Sequence, residues 1–314
     1  MTAQRKAPGC GGRARFDSII ELDHRHHTID SALMLALGDL YGGGIVLRGR
    51  GQWQRFTPPG KRDLNGYAAI LGHEVALLGR WDTGEQHLVV LGDEQATEAE
   101  REQRRQKARQ EAQTARERQQ EALARQQAQA TERGMPIWHG ALRGHQHPYP
   151  LRKGVGNGWT RQHRQLLMVP LTDGRALINW QFIAPDGTKR FLTGGRKQGC
   201  YHPIGAFDTD RPLLICEGWA TGMTLHAATG SAVACAMDAG NLLPVARYLR
   251  SRYPGASLIV ACDNDHATEG NPGVTKGKAT ADAVGGRAIW PAVDGIEGAS
   301  DYNDLALLGR EVTA

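Results

Sequence analysis

The sequence LLICEGWATGMTLHAATGSAVACAM (213–237) decides the fold of the C-terminal third of this chain. It is an apolar run, then a helix-forming segment that ends at Gly230, then a second apolar run. Two similar units follow, in which NLLPVARYLRSRYPG precedes SLIVACDND and KATADAVGG precedes RAIWPAV. Short apolar runs that alternate with helices are typical of a parallel sheet covered on both faces. The pattern predicts a βαβαβαβ domain over residues 211–314.

Acidic side chains follow the predicted strands of this domain. Glu217 directly follows the first strand, and Asp263 and Asp265 follow the third. The segment SDYNDL, beyond the fourth strand, adds Asp301 and Asp304. Because ligand sites in open α/β sheets lie beyond the carboxyl ends of the strands, the sequence places these carboxylates at one edge.

A divalent cation explains such a cluster. Carboxylates that converge repel one another unless a cation neutralises them, and hard oxygen ligands favour Mg²⁺ or Mn²⁺ over zinc. Each signal alone is common, since acids often follow strands and DND also forms ordinary Asx turns. It is their order along the chain that favours a magnesium site whose shell is completed by substrate phosphates.

Residues 135–210 predict a β-rich, basic subdomain. The segment QLLMVPLTDGRALINWQFIAPDGTKRFLTGGRKQGCYHPIG (165–205) alternates apolar and polar residues, and its turns TDGR and PDGT are typical of antiparallel hairpins. Trp159 and Trp180 are candidates for stacking on bases, although core packing is the more common explanation of a single tryptophan here.

The first 134 residues predict two further elements. Residues 1–92 read as a small α+β module, in which FDSIIELDHRHHTIDSALMLALGDLYGG (16–43) is expected to form one or two helices before several strands. Residues 93–134 are almost entirely strong helix formers without an apolar seam, which predicts one long, charged, solvated helical linker. A basic helix lying along a nucleic-acid backbone is the alternative.

Composition sets broad limits on the function. The net charge is +5, which favours polyanionic partners only weakly. The five cysteines form no CxxC pair, and the HRHH stretch (24–27) and the lone Cys10 lack a set of partner ligands. No zinc site is therefore expected, and the thiols are predicted to be buried and reduced. No signal peptide or membrane span is visible, so a cytoplasmic location and no membrane partner are expected.

Three stretches together, LLICEGWATGMTL, IVACDNDHA and SDYND, closely resemble the TOPRIM domain shared by primases, topoisomerases and some nucleases. The resemblance implies that Glu217 handles a proton at the reacting hydroxyl and that Asp263 and Asp265 hold the metal. It implies an auxiliary metal or structural role for Asp301 and Asp304.

Asn241, in AMDAGNL, also resembles the family. A helix N-cap explains this asparagine more simply.

The segments upstream of the TOPRIM-like region indicate which kind of TOPRIM protein the chain resembles. MVPLTDGRALINWQFIAPDGTKRFLTGGRKQGCYHPIG is similar to the basic subdomain before TOPRIM in bacterial replicative primases, and HPYPLRKGV looks like a motif of plasmid and phage primases. The resemblance implies a DNA primase that makes short RNA primers from nucleoside triphosphates on single-stranded DNA. No P-loop motif is present, so a separate replicative helicase or replication initiator is the expected partner.

Basic residues of this region are candidates to hold the template backbone and the triphosphate. They are Arg152, Lys153, Arg175, Lys189, Arg190, Arg196 and Lys197. The turn GGRKQG (194–199), with Lys189 and Arg190, is the strongest candidate because it combines backbone amides with charge, although a solvated strand face explains each residue taken alone.

Two other functions remain open. A TOPRIM-type nuclease would use the same metal to cleave a phosphodiester, and a non-catalytic replication accessory protein would bind nucleic acid with an inactive site. A topoisomerase is disfavoured, because it needs a tyrosine from a separate domain.

Overall fold

The structure, a computed structural model, describes residues 16–24, 27–42, 49–61, 64–93, 95–143, 146–208, 211–293 and 295–313. The chain divides into two compact units, Met1–Leu123 and Ala124–Ala314. Cys10 and His26, considered above as zinc ligands, lie outside the described residues.

The first unit is a five-stranded sheet with a helix on one face. Its elements are β1 (Ser18–Asp23), α1 (Ile29–Tyr41), β2 (Gln54–Phe56), β3 (Gly66–Ile70), β4 (Val75–Arg80) and β5 (Gln86–Gly92). The strand order is β1-β5-β4-β3-β2, with β1 parallel to β5 and the other neighbours antiparallel. Leu33 and Leu37 of α1 pack on this sheet in one buried cluster with Leu78 and Val89.

The helical prediction for residues 16–43 is wrong in its first part, because Ser18–Asp23 form a strand. All six residues of β1 pair with β5, and the β-branched Ile19 and Ile20 suit that extended backbone. The second part is helical as predicted. Helix α1 begins after Thr28, which forms a capping box with Ser31.

The long charged helix, α2, spans Glu98–Gly140. The prediction that it is solvated along its whole length is wrong. Ala108 and Ala112 are buried against the sheet of the first unit, and Ala130 and Trp138 are buried in the second. Alanine has so small a side chain that one face of a helix can be covered without a row of large apolar residues. Within the described ranges, no helix is long and apolar enough to cross a membrane.

The second unit contains an antiparallel sheet of the predicted hairpins. After the short helix α3 (Pro148–Arg152), its strands are β6 (Arg161–His163), β7 (Leu166–Thr172), β8 (Leu177–Ile183) and β9 (Lys189–Phe191), in the order β6-β7-β8-β9. The predicted turns join β7 to β8 and β8 to β9, and each carries a glycine with positive φ, Gly174 and Gly187.

The C-terminal sheet has the order β10-β12-β11-β13-β14. Its strands are β10 (His202–Ile204), β11 (Leu213–Cys216), β12 (Val233–Cys235), β13 (Leu258–Ala261) and β14 (Arg287–Ile289). The last four are parallel, as predicted. Strand β10 is an antiparallel edge strand, and it comes from the segment assigned above to the preceding β-rich region.

Helices cover both faces of this sheet, which confirms the predicted fold class. They are α4 (Trp219–Thr229), α5 (Leu242–Arg252), α6 (Pro272–Val284) and α7 (Tyr302–Leu307). Leu214 and Cys216 face the core that contains residues of α4 and α7, whereas Leu213 and Ile215 face the core that contains residues of α5 and α6. The alternation follows from the two-residue repeat of a strand.

Helix α6 begins at Pro272, earlier than the segment predicted as helical, and packs closely on β13. A Cβ atom on Gly277 would lie 1.8 Å from the Sγ atom of Cys262. Only glycine therefore allows this approach, which brings the start of α6 to the end of β13.

We expect Gly277→Ala to lower the free energy of unfolding by about 1–3 kcal/mol, because the added methyl group overpacks the α6–β13 contact. Urea denaturation of both proteins measures the difference. Gly140→Ala is the matched control: this helical glycine of the same unit has nothing within 4 Å of its Cβ position, so the change is expected to be neutral or stabilising. Equal stability of Gly277→Ala and wild type would contradict the close packing.

Candidate active site

Three neighbouring parallel strands end in acids at one edge of the C-terminal sheet. Cys216 of β11 pairs with Cys235 of β12 and with Ala261 of β13. Glu217 and Asp263 therefore follow adjacent strands at nearly the same level. The structure adds a carboxylate that was not singled out in the sequence, Asp238, which follows β12. The one feature of the sequence that could have indicated Asp238 is its position shortly after a predicted apolar strand.

Asp263 is the least compensated of these acids. Burial, followed by the charges of Glu217, Asp301 and Asp265, raises the pKa of Asp263 to about 8, and Lys189 opposes the shift. Its Oδ1 atom is buried and accepts no hydrogen bond from any described residue. A buried carboxyl group with a raised pKa and an acceptor oxygen without a hydrogen bond is suited to binding a cation.

Glu217 also holds its proton unusually tightly. Burial, then the charges of Asp265 and Asp238, raises the pKa of Glu217 to about 7, with Lys276 acting in the opposite direction. The backbone at this point is fixed, because the Met237 amide donates to the Glu217 carbonyl at 2.7 Å. A carboxyl group with a pKa near neutrality can both accept and release a proton.

The loop that carries Asp265 is held by the start of α6. The Gly273 amide donates to Asp265 Oδ2 at 3.1 Å, and Asn271 Nδ2 donates to Asn264 Oδ1 at 2.8 Å. A Cβ atom on Gly273 would lie 2.3 Å from the Asp263 carbonyl oxygen. Gly273 and Asn271 were missed in the sequence, although Asn-Pro-Gly is a helix-start signal.

Asp301 and Asp304 have different surroundings. Asp301 caps α7 by accepting from the amides of Asn303 and Asp304, at 2.7 and 2.9 Å, and its charge still raises the pKa of Asp263. Asp304 completes the capping box and forms an ion pair with Lys153, whose Nζ lies 3.1 Å from Oδ1. Asp301 thus borders the acidic cluster, whereas Asp304 is engaged in holding α7.

The candidate basic residues fall into two groups. Lys189 is close enough to Asp263 to lower its pKa, and Lys197 forms an ion pair with Asp238, so both border the acids. Arg196 is instead paired with Asp173 at 2.5 Å and Lys153 with Asp304. Arg152, Arg175 and Arg190 are exposed on the second unit.

Comparison with known proteins identifies the domain that carries these carboxylates. A family model described as the Toprim domain matches residues 212–310. Residues 212–310 form a Toprim domain.

Relatives extend the similarity beyond the Toprim domain. The chain is 39% identical over 156 residues to a protein of Escherichia coli named DNA primase TraC, an alignment that covers 46% of this chain and 11% of the relative. A second Escherichia coli protein of the same name is 40% identical over 156 residues, covering 46% of this chain and 15% of the relative. The chain is homologous to these primases over about half its length and spans only a small part of theirs.

The acids of the Toprim domain fit a hard divalent cation. Within the described ranges, no group of three or more His, Cys, Asp or Glu side chains is arranged to hold a metal ion by itself. Mg²⁺, however, usually takes one or two carboxylates and keeps several waters. Asp263, with its unpartnered Oδ1, and Asp265 beside it supply such a pair, and Glu217 is a third oxygen donor nearby.

Asn241 joins the Toprim domain to the turn GGRKQG. Asn241 occupies the N-cap position of α5, as expected, but its side chain makes no capping hydrogen bond, so capping does not explain the residue. Its Nδ2 donates to the carbonyls of Cys200 and Ala236, at 2.8 and 2.7 Å, and its Oδ1 accepts from the Gly199 amide at 2.7 Å. The Gly199 amide, one of the backbone amides suggested above for phosphate binding, therefore already donates to Asn241.

The two tryptophans proposed for base stacking differ in exposure. Trp180 is fully buried against Trp138, so the stacking hypothesis is wrong for it. Trp159 is 45% exposed, with its ring edge-on to Trp138 and stacked on His202.

We expect Asp263→Asn to stabilise the metal-free protein, increasingly so as the pH rises from about 4 to about 8. The folded pKa of Asp263, about 8, lies above its ordinary value of 3.8, so the unfolded state releases its proton first and wild-type stability falls over that window. The gain at pH 8 is expected to be at least about 1 kcal/mol, since one pKa unit is worth about 1.4 kcal/mol. Thermal unfolding in EDTA at several pH values measures it.

Added Mg²⁺ should raise the Tm of the wild type and have a much smaller effect on Asp263→Asn, because a ligand of the native state stabilises that state. Asp282→Asn, which removes an exposed carboxylate from α6, is the control and should change neither response. An Asp263→Asn protein less stable than wild type at pH 8 in EDTA would contradict the electrostatic description.

We expect Asn241→Asp to lower the free energy of unfolding by about 2 kcal/mol or more, because aspartate lacks the Nδ2 donor and leaves two carbonyls without it. Aspartate is as good an N-cap as asparagine, so a capping role would leave stability unchanged. Urea denaturation distinguishes the two roles. Asn241→Ala separates the loss of hydrogen bonds from the effect of the new charge.

Proposed function

We propose that this chain is a DNA primase of the plasmid or phage type, which joins ribonucleotides into short RNA primers on single-stranded DNA with Mg²⁺ or Mn²⁺. The observation that carries the proposal is the unpartnered, buried Oδ1 of Asp263 among carboxylates of a Toprim domain. Homology to proteins named DNA primase TraC supports this choice among Toprim functions.

In this proposal Asp263 and Asp265 hold the metal ion. When bound, the ion neutralises the negative charge of the triphosphate and of the leaving pyrophosphate. The two side chains suit this role because the Gly273 amide already orients Asp265, and Asp263 lacks any other partner for its buried oxygen among the described residues. Asp301 borders the pair and adds negative charge that favours a cation.

Glu217 takes the proton of the attacking 3′-hydroxyl. Its pKa, near 7, lets it accept a proton at neutral pH more readily than an ordinary glutamate, since proton transfer is most efficient when the pKa lies near the working pH. The charges of Asp265 and Asp238 help to maintain that pKa.

Lys189 and Lys197 lie where a triphosphate would meet the acids. Lys189 interacts electrostatically with Asp263, and Lys197 is held by Asp238 on the neighbouring strand end. A nucleotide phosphate can replace Asp238 as the partner of Lys197, so the lysine is available without being left unpaired. Lysine suits this role as a point charge for phosphate.

The exposed arginines of the same unit, Arg152, Arg175 and Arg190, are assigned to the template backbone. Arg152 is oriented by a hydrogen bond to the Pro185 carbonyl at 2.9 Å. Contacts of this kind carry no sequence information, so a separate helicase or replication initiator would deliver the template.

Incorporation of labelled ribonucleotides on single-stranded DNA with Mg²⁺ tests the proposal. We expect short, template-dependent products from the wild type, none from Asp263→Ala, and a rate about 10²–10⁴-fold lower from Glu217→Gln, the usual contribution of a general base. Asp282→Asn, on the exposed side of α6, is expected to retain full activity.

The other outcomes identify the alternatives. Metal-dependent loss of the template without primers would point to a Toprim-type nuclease. A template that is bound but neither copied nor cleaved would point to a replication accessory protein. Either result contradicts the primase proposal.

A further inference from the structure

Trp290 is an exposed aromatic side chain at the acidic edge of the Toprim sheet. It directly follows β14, and 41% of its surface is exposed. It belongs to none of the hydrophobic clusters formed by the described residues. Core packing, which explains Trp180, therefore does not explain Trp290.

The backbone on either side of Trp290 is fixed to the segment that carries Asp263. The Cys262 amide donates to the Ile289 carbonyl at 2.8 Å, and Asn264 Nδ2 donates to the Pro291 carbonyl at 3.0 Å. Neighbouring strands lie about 4.8 Å apart, so the backbone of Trp290 is one strand away from that of Asp263. The backbone of Trp290 is thus held beside the segment that carries the proposed metal ligands, and its side chain lies at the same edge of the sheet.

A cation accompanies the ring. Lys278 of α6 places its Nζ 4.5 Å from the centroid of the Trp290 ring, a cation–π distance. Its charge also opposes the upward pKa shift of Cys262, the residue before Asp263, so the ammonium group lies near the same strand end. Glycine at 277, next to Lys278, lets α6 sit close to β13 and so keeps Lys278 at this edge.

An exposed aromatic ring, a positive charge beside it and the proposed metal ligands at the same edge of the sheet match the parts of a nucleotide. The base would stack on the ring, the lysine would meet a phosphate, and the neighbouring phosphate would meet the cation that the carboxylates are proposed to hold. An interface for a protein partner would call for a wider apolar surface than one indole.

We propose that Trp290 and Lys278 form a stacking platform for a nucleobase whose phosphate lies at the Asp263 edge. The proposal rests on the proposed function, because it requires nucleic acid or nucleotide as the ligand. The base belongs either to the DNA or primer strand or to the incoming ribonucleotide, and the two sources share this chemistry.

Binding of the full chain to two labelled oligonucleotides tests the strand source. One is an oligothymidine of about 12 nucleotides, and the other has the same backbone with abasic sites. Fluorescence anisotropy with Mg²⁺ and without nucleoside triphosphates gives the Kd of wild type, Trp290→Leu, Trp290→Phe and Lys278→Gln. Leucine keeps an apolar side chain but cannot stack, whereas phenylalanine can.

We expect Trp290→Leu to weaken binding of the oligothymidine by about 5- to 150-fold and to leave binding of the abasic strand unchanged. Trp290→Phe should retain most of the affinity. Lys278→Gln should weaken both ligands to a similar, smaller extent. If the base is that of the incoming nucleotide, Trp290→Leu will instead raise the KM for ATP in primer synthesis without changing the Kd of either oligonucleotide.

Trp290→Leu indistinguishable from wild type in both assays overturns the platform while leaving the primase proposal intact. So does a Trp290→Phe protein as impaired as Trp290→Leu, since stacking would then not be the cause. A wild type that binds neither strand and makes no primers overturns both proposals. Thermal unfolding of each variant confirms that a loss of binding is not a loss of fold.

Discussion

The arrangement of side chains at the acidic edge of the Toprim sheet depends on one constraint, the burial of the Asp263 carboxyl group among other acids. It follows from the sheet order, because β11 and β13 are parallel neighbours and their ends bring Glu217 and Asp263 to one level. Burial is the main reason why the pKa of both carboxyl groups is raised. The charge of Glu217 adds to the shift at Asp263, and the charges of Asp265 and Asp238 add to the shift at Glu217. A neutral side chain at Asp263 would relieve the repulsion, so a carboxylate at this position makes sense as part of a functional site rather than as a stabilising element.

The surroundings of this cluster are correspondingly rigid. Hydrogen bonds from Asn271 and Gly273 hold the Asn264–Asp265 loop, and the Asn264 amide donates to the Ser300 carbonyl at 2.7 Å. That last bond brings the start of α7, and with it Asp301, to the end of β13. The acids are thus held by the backbone and by amide side chains, not by one another.

Positive charge is arranged around the acids rather than among them. Lys189 and Lys197 approach from the turn and strand that precede the Toprim domain, and Lys276 and Lys278 from α6. Asn241 connects the turn to the Toprim domain, since its side chain bonds to the backbone at Gly199, at Cys200 and at Ala236, the residue after β12. In the proposed reaction, the acids bind the cation and the lysines bind the phosphates. Both groups contact the same nucleotide, so the lysines must be held at a fixed distance from the acids.

The sequence by itself determined the parallel sheet, its helices on both faces, the hairpins before it and the long charged helix. These follow from local periods of apolar residues and from turn and helix propensities, which a single segment carries. It also pointed to Glu217, Asp263 and Asp265, because strand ends of a parallel sheet meet at one edge whatever the loops do.

Only the tertiary structure decided how the remaining residues are used. Ser18–Asp23 form a strand because they pair with the edge of the sheet at β5. Asn241 links two segments because the turn at Gly199 lies within hydrogen-bonding distance of its side chain. Asp304 differs from Asp301 in its ion pair with Lys153, a residue 151 positions away in the sequence. The roles of Asp238, Gly273 and Trp290 can be recognised only from their contacts with Lys197, Asp265 and Lys278, which lie in other segments of the chain. Side-chain partners of this kind are set by distances in space, and no local pattern in the sequence encodes them.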